Sequence, residues 1–254
     1  MWRGVLIVFL LVILAVISGC DSDFQSMLHQ DELSNKDTAL PNEKMSEENA
    51  CEDFLFSVRD NQVTIDDVLT KEASVAIPDT LSGCTVIRIG DSAFYQKPCT
   101  HIQLPSTITS IGSNAFYRCD SLEQIIIPAT TESIEGNPFF RCSALENIYV
   151  EKDNNYYCDV DGVLYNNDKT ILIAFPEGKD INQYVIPEGV TTICDMAFGY
   201  TSNLKEIFIP DSVTQFPEYN LFELYDEICL VVVPGSAAEQ YAAAFAIQTS
   251  FSIE

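Results

Sequence analysis

The stretch IQLPSTITSIGSNAFYRCDSLEQIIIPATTESIEGNPFFRCSALENIYV, residues 102–150, decides the fold. One phrase occurs in it twice, with apolar residues and cysteines at matched positions 23 residues apart. The matched pairs are Phe116 and Phe139, Cys119 and Cys142, Leu122 and Leu145, and Ile125 and Ile148. A fixed period of this length is typical of a solenoid, in which each repeat packs on its neighbours. The stretch therefore predicts a domain of stacked repeats.

The period continues on both sides of this stretch as short apolar segments that end at proline or its equivalent. They are VAIP (75–78), IQLP (102–105), IIIP (125–128), IYVE (148–151), YVIP (184–187), IFIP (207–210) and VVVP (231–234). Proline has no N–H to donate, so it stops a strand from extending its ladder of hydrogen bonds. We therefore predict a mainly β solenoid of about seven turns, with an irregular or short helical convex side.

Several turns carry a second element of the form Ile-Gly-x-x-Ala-Phe. It reads IGDSAF (89–94), IGSNAF (111–116) and, modified, ICDMAF (193–198). We expect Gly90 and Gly112 to adopt a turn conformation with positive φ, which glycine takes at no steric cost. The phenylalanine that follows should point inward and fill the wider side of each turn.

Together these two elements resemble the BspA-type, or treponemal-type, leucine-rich repeat family. The matching residues are Ile111, Gly112, Ala115, Phe116, Cys119, Leu122, Ile125, Ile127 and Pro128, and again Leu204, Ile207, Ile209 and Pro210. The resemblance covers roughly residues 52–247 and implies a leucine-rich repeat fold. It also implies a surface or secreted protein without enzymatic activity, in some members an adhesin for host matrix proteins or other bacteria. The chain departs from the motif at Glu151, at FPEYNLF (216–222) and at Thr201.

The period breaks between Glu151 and Pro187, which are 36 residues apart where 23 would be expected. Residues 151–178 account for the excess and predict a β meander. Asp161-Gly162 is a strong signal for a two-residue turn, and Asn-Asn-Asp at 166–168 is a second turn signal. The family often carries an Asp-Gly-Val-Leu-Tyr insert of this sort. We expect this hairpin insert to protrude from one side of the solenoid.

Both ends of the repeat domain need caps, because the last turn of a solenoid otherwise exposes a sheet edge and part of the core. At the N-terminal end, residues 54–68 alternate apolar and polar side chains around Asp60-Asn61, which predicts a β-hairpin cap. At the C-terminal end, within residues 235–254, Ser236 and Glu239 form a capping-box signal that predicts a helix cap.

The first 19 residues predict a lipoprotein signal peptide. Arg3 precedes an apolar run at 5–17 that is too short for a comfortable transmembrane helix. The end of the run, Ile-Ser-Gly-Cys at 17–20, resembles the lipobox of bacterial lipoproteins. The resemblance implies that Cys20 becomes the N-terminus and carries diacylglycerol, which anchors the protein to the membrane. An uncleaved signal anchor with an unrelated cysteine is the alternative.

Residues 20–50 begin at the lipidated Cys20 and continue as a polar, acidic sequence. Such a composition predicts a flexible tether, which would span on the order of 30 Å. A short amphipathic helix within residues 24–33 is the alternative. Residues 51–254 then form the repeat domain. We expect it to be lipid-anchored in the cell envelope of a bacterium, on the outer surface, with the periplasmic side as the alternative.

The chain is strongly acidic, with 13 Lys and Arg against 38 Asp and Glu and a net charge of −25. Binding to phosphate backbones requires basic patches. The composition therefore argues against nucleic acid, and we predict no nucleic-acid partner.

Nine cysteines are present, and assigning Cys20 to lipid leaves eight. Cys119 and Cys142 fill the same apolar slot of successive repeats, so we predict unpaired thiols in the core. A disulfide between these two is the alternative, because neighbouring turns of a solenoid are close enough to be bridged. No Cys-x-x-Cys or Cys/His cluster is present. This argues against a zinc site. We also expect no other metal site and no cofactor.

Asp159 and Asp161 stand in the motif DVDGVL (159–164), which resembles the first motif of haloacid-dehalogenase-type phosphatases. In that family the first Asp is the nucleophile and the second the acid/base, at the end of a buried parallel strand beside Mg²⁺. Here the preceding residues, NNYYC at 154–158, do not form a hydrophobic strand, and repeats follow. We expect a structural hairpin and no catalytic residue, with a phosphatase as a remote alternative. His101, on a predicted strand, has no evident nucleophile partner.

Strand alternation identifies a candidate binding surface. If Ile125 and Ile127 face the core, the residue between them and its equivalents in the other turns face solvent in register. This concave row is Gln103, Ile126, Tyr149, Val185, Phe208 and Val232. At ~4.8 Å between turns it would be ~25 Å long, and most of its members are apolar. A neighbouring row is mostly polar: His101, Gln124, Asn147, Gln183, Glu206 and Leu230.

An exposed apolar row beside a polar one is typical of a protein-binding surface. We therefore predict a membrane-anchored lipoprotein whose repeats bind a protein or other macromolecule, such as host matrix or another cell surface. Two alternatives stay open. Branched and aromatic residues also form ladders on any exposed sheet, and the protein could be a structural or envelope-assembly component with no dedicated ligand.

Overall fold

The structure, a computed structural model, describes residues 51–218 and 228–251. The predicted signal peptide, Cys20 and the tether lie outside the described residues, as do residues 219–227 and 252–254. No helix in the described part of the chain is long and apolar enough to cross a membrane.

The described chain consists almost entirely of strands and turns. The strands are β1 (Phe54–Arg59), β2 (Gln62–Val68), β3 (Ser74–Ala76), β4 (Thr80–Leu81), β5 (Cys84–Ile89), β6 (His101–Gln103), β7 (Ser110–Ile111), β8 (Gln124–Ile127), β9 (Ser133–Ile134), β10 (Asn147–Val150), β11 (Tyr157–Val160), β12 (Val163–Asn166), β13 (Ile171–Ala174), β14 (Gln183–Val185), β15 (Thr192–Ile193), β16 (Glu206–Ile209), β17 (Cys229–Val232) and β18 (Gln248–Phe251). Between β17 and β18 lies the helix α1 (Ala237–Ala244). The mainly β solenoid predicted from the repeats is confirmed.

The segments that end at proline form two parallel sheets. The N-terminal sheet has the order β10-β8-β6-β3, and the C-terminal sheet has the order β14-β16-β17-β18. All seven predicted segments contain a strand, and β18 adds an eighth turn. Neighbouring strands pair in register, with Ile125 opposite Ile148. These isoleucines are buried because successive side chains of a strand point to opposite faces, and only one face meets the core.

The Ile-Gly-x-x-Ala-Phe elements form the other side of the solenoid. Their strands pair in parallel, β5 with β7, β7 with β9, and β13 with β15. The ring centroid of Phe116 lies 5.1 Å from that of Phe94 and 5.4 Å from that of Phe139. All three rings are buried, which confirms that these side chains point inward.

The prediction of positive φ at Gly90 and Gly112 is wrong. The left-handed residues of this element lie two positions further on, at Ser92 and Asn114, with φ of 57° and 54°. Glycine is required for space instead. A Cβ on Gly90 would lie 2.7 Å from the carbonyl oxygen of Ile65, and one on Gly112 would lie 2.8 Å from a backbone nitrogen of the preceding turn. The turns approach each other too closely here for a side chain.

Both predicted two-residue hairpin turns are present. Asp60 and Asn61 join β1 to β2 with φ of 53° and 63°, and Asp161 and Gly162 join β11 to β12 with φ of 51° and 78°. Positive φ at both central residues gives the turn a twist that matches the twist of the flanking strands. The N-terminal hairpin joins the rest of the sheet through β2, which pairs with β5. Its role as a cap stays a prediction.

The insert does not protrude, so that prediction is wrong. Its strand β12 lies between β11 and β13 in a four-stranded sheet, and Val163, Leu164 and Tyr165 are 0% exposed. Leu164 packs into the core of the N-terminal turns, whereas Val163 and Tyr165 pack into the core of the C-terminal turns. Successive residues of a strand face opposite sides, so one strand serves both cores. The insert therefore lies between the two halves of the solenoid and is part of both cores.

The C-terminal helix begins where the sequence predicts. Ser236 is the N-cap residue, and its side chain accepts a hydrogen bond from the N–H of Glu239 at 3.2 Å. The carboxylate of Glu239 accepts one in return from the N–H of Gly235 at 2.6 Å. Tyr241 is buried and stacks on Phe216, with ring centroids 4.6 Å apart. The helix thus packs on the last turns, and its role as a cap stays a prediction.

All cysteines in the described residues are free, and Cys119 and Cys142 are buried in the core, as predicted, with no disulfide between them. The Sγ of Cys119 donates to the carbonyl oxygen of Phe94, and that of Cys142 to the carbonyl oxygen of Phe116, both at 3.0 Å. Each thiol therefore connects its turn to the preceding one. Burial raises the pKa of Cys142 and raises that of Cys99 to about 11. These thiols stay protonated at neutral pH, which makes them poor nucleophiles.

Candidate binding surface

The N-terminal sheet positions three members of the predicted row. Gln103 lies on β6, Ile126 on β8 and Tyr149 on β10. Ile126 and Tyr149 pair directly and are 50% and 39% exposed. Large apolar side chains exposed side by side are a feature of interaction surfaces. We call the solvent side of β3, β6, β8 and β10 the outer face of the N-terminal sheet.

A groove of about 410 Å³ lies on this outer face. Its lining residues are Ser74, His101, Ile102, Gln103, Leu104, Gln124, Ile125, Ile126 and Glu151. The side chains of Leu104 and Ile126 supply apolar surface, whereas those of Ile102 and Ile125 are buried in the core. A hydroxyl, an imidazole, two amides and a carboxylate supply polar contacts. Pockets with an apolar lining and a few polar groups are typical of binding sites in proteins. The groove can hold a segment that presents both kinds of group.

Sequence reasoning did not include Ser74, Leu104 and Glu151 in this surface. Glu151 stands where other turns have proline, and its carboxylate accepts a hydrogen bond from the N–H of Ala129 at 2.9 Å. The departure from the repeat motif at this position was the available signal. A carboxylate here adds a negative charge to one side of the groove.

The predicted row is not continuous. Val185 and Phe208 pair in register on β14 and β16, but β10 and β14 belong to different sheets. The insert separates them along the chain, and β10 contacts it through the N–H of Ile148, which donates to the carbonyl oxygen of Gly162 at 2.9 Å. The exposed surface therefore has two parts, one on each parallel sheet.

Val232 does not lie on this surface, because it is 0% exposed and pairs with Ile209. The residue opposite Phe208 is Val231, which is itself only 6% exposed. The prediction aligned these segments by their prolines, which are 24 residues apart here, whereas the paired strand residues are 23 apart. A shift of one residue moves a side chain to the opposite face of a strand. The same shift places Leu230 in the core rather than in the polar row.

The candidate catalytic residues contribute to the hairpin. The carboxylate of Asp159 accepts a hydrogen bond from the N–H of Val150 at 2.9 Å, and Asp161 is the first residue of the turn. Within residues 51–218 and 228–251, no group of three or more His, Cys, Asp or Glu side chains could hold a metal ion. His101 lies on β6, as predicted, and is exposed; its Nδ1 lies 2.8 Å from the Oγ1 of Thr100.

A pair of buried tyrosines joins the insert to the C-terminal sheet. The hydroxyl oxygens of Tyr165 on β12 and Tyr184 on β14 are 2.6 Å apart and buried. Burial raises the pKa of Tyr165, and burial raises the pKa of Tyr184 to about 12. Both hydroxyls stay protonated, so the pair keeps its hydrogen bond over the whole physiological pH range. It ties the insert to the strand that carries Val185.

The fold defines a class of protein: a β solenoid built from short repeats, with parallel sheets that expose one face to solvent. The chain belongs to the family described as BspA type leucine-rich repeat region, which matches six copies in residues 73–166 and 172–253. The gap between the matched ranges falls within the insert.

Similar solved structures are bacterial repeat proteins. A leucine-rich repeat protein from Eubacterium ventriosum is 21% identical over 72% of this chain and 67% of that one, with a TM-score of 0.46. The T. pallidum leucine-rich repeat protein is 18% identical over 81% of this chain and 99% of that one, with a TM-score of 0.47. The pneumococcal vaccine antigen PcpA is 16% identical over 72% of this chain and 79% of that one, with a TM-score of 0.46. A comparison with curated proteins gives no match.

Proposed function

We propose that this protein binds a protein partner through the outer face of the N-terminal sheet. The observation that carries the proposal is the pair Ile126 and Tyr149, two large apolar side chains in register and exposed, on the sheet face that also holds the groove. Leucine-rich repeat proteins use extended sheet surfaces of this kind to bind macromolecules. Solenoids of this family are in general not enzymes, and the proposed function is binding without catalysis.

The chemistry of the face indicates what kind of partner it fits. Apolar side chains beside polar ones are usual in a protein interface, and here the row His101, Gln124 and Asn147 lies on one side of Ile126 and Tyr149. Val185, 63% exposed on the C-terminal sheet, offers a second apolar contact. Because the protein carries a net charge of −25, a partner with a neutral or basic surface associates with less repulsion than an acidic one. Host matrix proteins and proteins of other cell surfaces are the proposed partners.

A charge at the centre of the face tests the proposal. Tyr149→Asp should weaken adhesion to host-matrix or cell-surface material by about tenfold or more, since an unpaired charge would be desolvated on binding. The free energy of unfolding should change by less than about 1 kcal/mol, because the site is exposed. The matched control is Val58→Asp on β1, because Val58 is also 39% exposed but lies outside the face. Adhesion by Tyr149→Asp that equals that of the wild type would rule out this face.

We further propose that Cys20 is lipidated and that residues 20–50 hold the repeats away from the membrane, on the outer surface of a bacterial cell. The support is the Ile-Ser-Gly-Cys sequence at 17–20 after a short apolar run. The wild type should incorporate labelled palmitate, and Cys20→Ser should not. Protease added to intact cells should remove the repeat domain. Labelling of Cys20→Ser would contradict the anchor, and protection from protease would place the domain on the periplasmic side.

A further inference from the structure

A second cavity, of about 350 Å³, lies where the two halves of the solenoid meet. Its walls are the turns that precede β8, β10 and β16, together with the end of the insert. Each of these turns contributes the residues on both sides of the inward-facing Cys119, Cys142 or Thr201. None of the lining residues belongs to the groove on the outer face of the N-terminal sheet. The cavity is therefore separate from the proposed protein-binding surface.

Two arginines line this cavity. Arg118 and Arg141 occupy the same position of successive turns, 23 residues apart. The guanidinium of Arg141 lies over the ring of Tyr200, with Cζ 4.3 Å from the ring centroid, and donates to the Tyr200 hydroxyl oxygen. Stacking and the hydrogen bond fix the position of this charge. A fixed guanidinium is pre-organised to bind an anion.

The side chain of Arg118 is the second positive charge that lines the cavity. In the described part of the chain it has no hydrogen-bond or ion-pair partner, although its backbone N–H donates to the carbonyl oxygen of Phe140 at 3.1 Å. Asp120, the acidic residue of the same wall, forms no ion pair with it within 4 Å. Two positive charges in one cavity repel each other, and a bound anion would relieve that repulsion.

The third component of the cavity is Glu177, at the end of the insert. Its Oε1 accepts a hydrogen bond from the backbone N–H of Arg141 at 2.7 Å. Its Oε2 is buried and has no hydrogen-bond partner among the described residues. Burial raises the pKa of Glu177 to about 8, against the opposing effect of Arg141 and with a smaller contribution from Asp120. Burial thus favours the protonated form of Glu177, which can donate a hydrogen bond and repels an anion less than a carboxylate does.

We propose that this cavity binds a sugar acid of monosaccharide size, with its carboxylate held between Arg118 and Arg141. The planar guanidinium of Arg118 matches the geometry of a carboxylate and can hold it with paired hydrogen bonds, and Arg141 adds a fixed positive charge. The hydroxyls of Ser143 and Ser202, which also line the cavity, offer hydrogen bonds to sugar hydroxyls. A volume of about 350 Å³ is at the lower end of the range of small-molecule sites, which suits one sugar ring.

Titration of the full-length protein with D-glucuronate tests this site, with D-glucose as the uncharged analogue. Glucuronate should bind saturably and more weakly as salt is added, and glucose should not bind. Arg118→Gln should weaken glucuronate binding by about tenfold or more, because the carboxylate loses a charge-assisted pair of hydrogen bonds. The matched control is Arg59→Gln, since Arg59 is 95% exposed on the N-terminal hairpin and far from the cavity in sequence. That variant should bind as the wild type does.

A second variant and a second anion complete the test. Arg118→Lys keeps the positive charge but loses the planar guanidinium with its paired N–H donors. This variant should bind glucuronate more weakly than the wild type, and its melting temperature should stay the same. Inorganic sulfate distinguishes a sugar-acid site from a general anion site. The proposal is overturned if glucuronate does not bind saturably, if Arg118→Gln binds it as well as the wild type, or if sulfate binds as tightly as glucuronate.

Discussion

Single side chains replace backbone contacts where the repeat is interrupted. After β10 the next regular turn is missing, and the carboxyl group of Glu177 accepts the hydrogen bond from the N–H of Arg141. Nearby, the hydroxyl oxygen of Tyr157 accepts from the N–H of Ile134 at 2.8 Å, and the side-chain amide of Asn154 donates to carbonyl oxygens of the preceding turn. Buried backbone groups are costly without partners, and these three side chains supply them.

Glu177 should make stability depend on pH. Its pKa is raised from 4.5 to about 8 in the folded state, so between these pH values the folded protein keeps a proton that the unfolded chain has lost. The free energy of unfolding should therefore fall as pH rises through this window, by on the order of a few kcal/mol. Glu177→Gln should flatten this slope and be more stable than the wild type at pH 9. Urea unfolding at a series of pH values measures both.

The control for this series is Glu146→Gln, which removes one carboxylate from an exposed position. It separates the effect of burial from that of net charge. A slope that is the same in Glu177→Gln and in the wild type would show that Glu177 is not buried as a neutral acid.

Which residues of the repeat are buried could be predicted from the sequence, but not all of the reasons. The inward phenylalanines and the core thiols of Cys119 and Cys142 follow from their matched slots, because a slot that recurs as apolar must face the stack. The predicted reason for glycine at Gly90 and Gly112, a positive φ, is wrong. Their requirement for glycine comes from the backbone of the neighbouring turn, and the distance between turns is not visible in the sequence of one repeat.

The decisive element is the insert. Its hairpin could be predicted from turn chemistry, since Asp161-Gly162 favours positive φ at both central positions. Its burial could not, because it depends on packing partners on both faces. Val163, Leu164 and Tyr165 form the uninterrupted apolar run that is typical of a strand covered on both sides, and that run was the available signal.

Truncation of Leu164 measures how much the insert contributes to the core. Leu164→Ala should lower the free energy of unfolding by about 2–5 kcal/mol, as expected for a fully buried leucine. The matched control is Leu69→Ala, the same substitution at a residue that is 42% exposed, and it should cost much less. Thermal and urea unfolding of both variants measure the difference. Equal losses for the two variants would mean that the insert is a surface protrusion after all.

At the scale of the whole molecule, the solenoid consists of two stacks of turns joined through the insert. The parallel sheets are interrupted, but a column of rings crosses the junction: Phe140 lies 5.7 Å from Tyr117 on one side and 5.4 Å from Tyr200 on the other, between ring centroids. Each stack shares β12 and β13 with the other. We therefore expect the two stacks to support each other rather than to fold as independent domains.

The overall architecture and the outer face of the N-terminal sheet could be predicted from the 23-residue period. The C-terminal end of the row, at Val232, could not be predicted. Where the period of the prolines and the period of the strands differ by one residue, as at Val232, the sequence alone does not show which of the two sets the register. The break at the insert likewise hid the division of the row between two sheets.

Site-specific photo-crosslinking tests the proposed binding face most directly. A photoreactive phenylalanine analogue is placed at Ile126 in the full-length protein, and at Val58 as the control outside the face. On contact with host-matrix or cell-surface material, position 126 should give a crosslinked adduct that excess wild-type protein competes away and Tyr149→Asp does not. Position 58 should give none. Equal yields from the two positions, or no adduct from position 126 where adhesion is measurable, would contradict binding through the outer face of the N-terminal sheet.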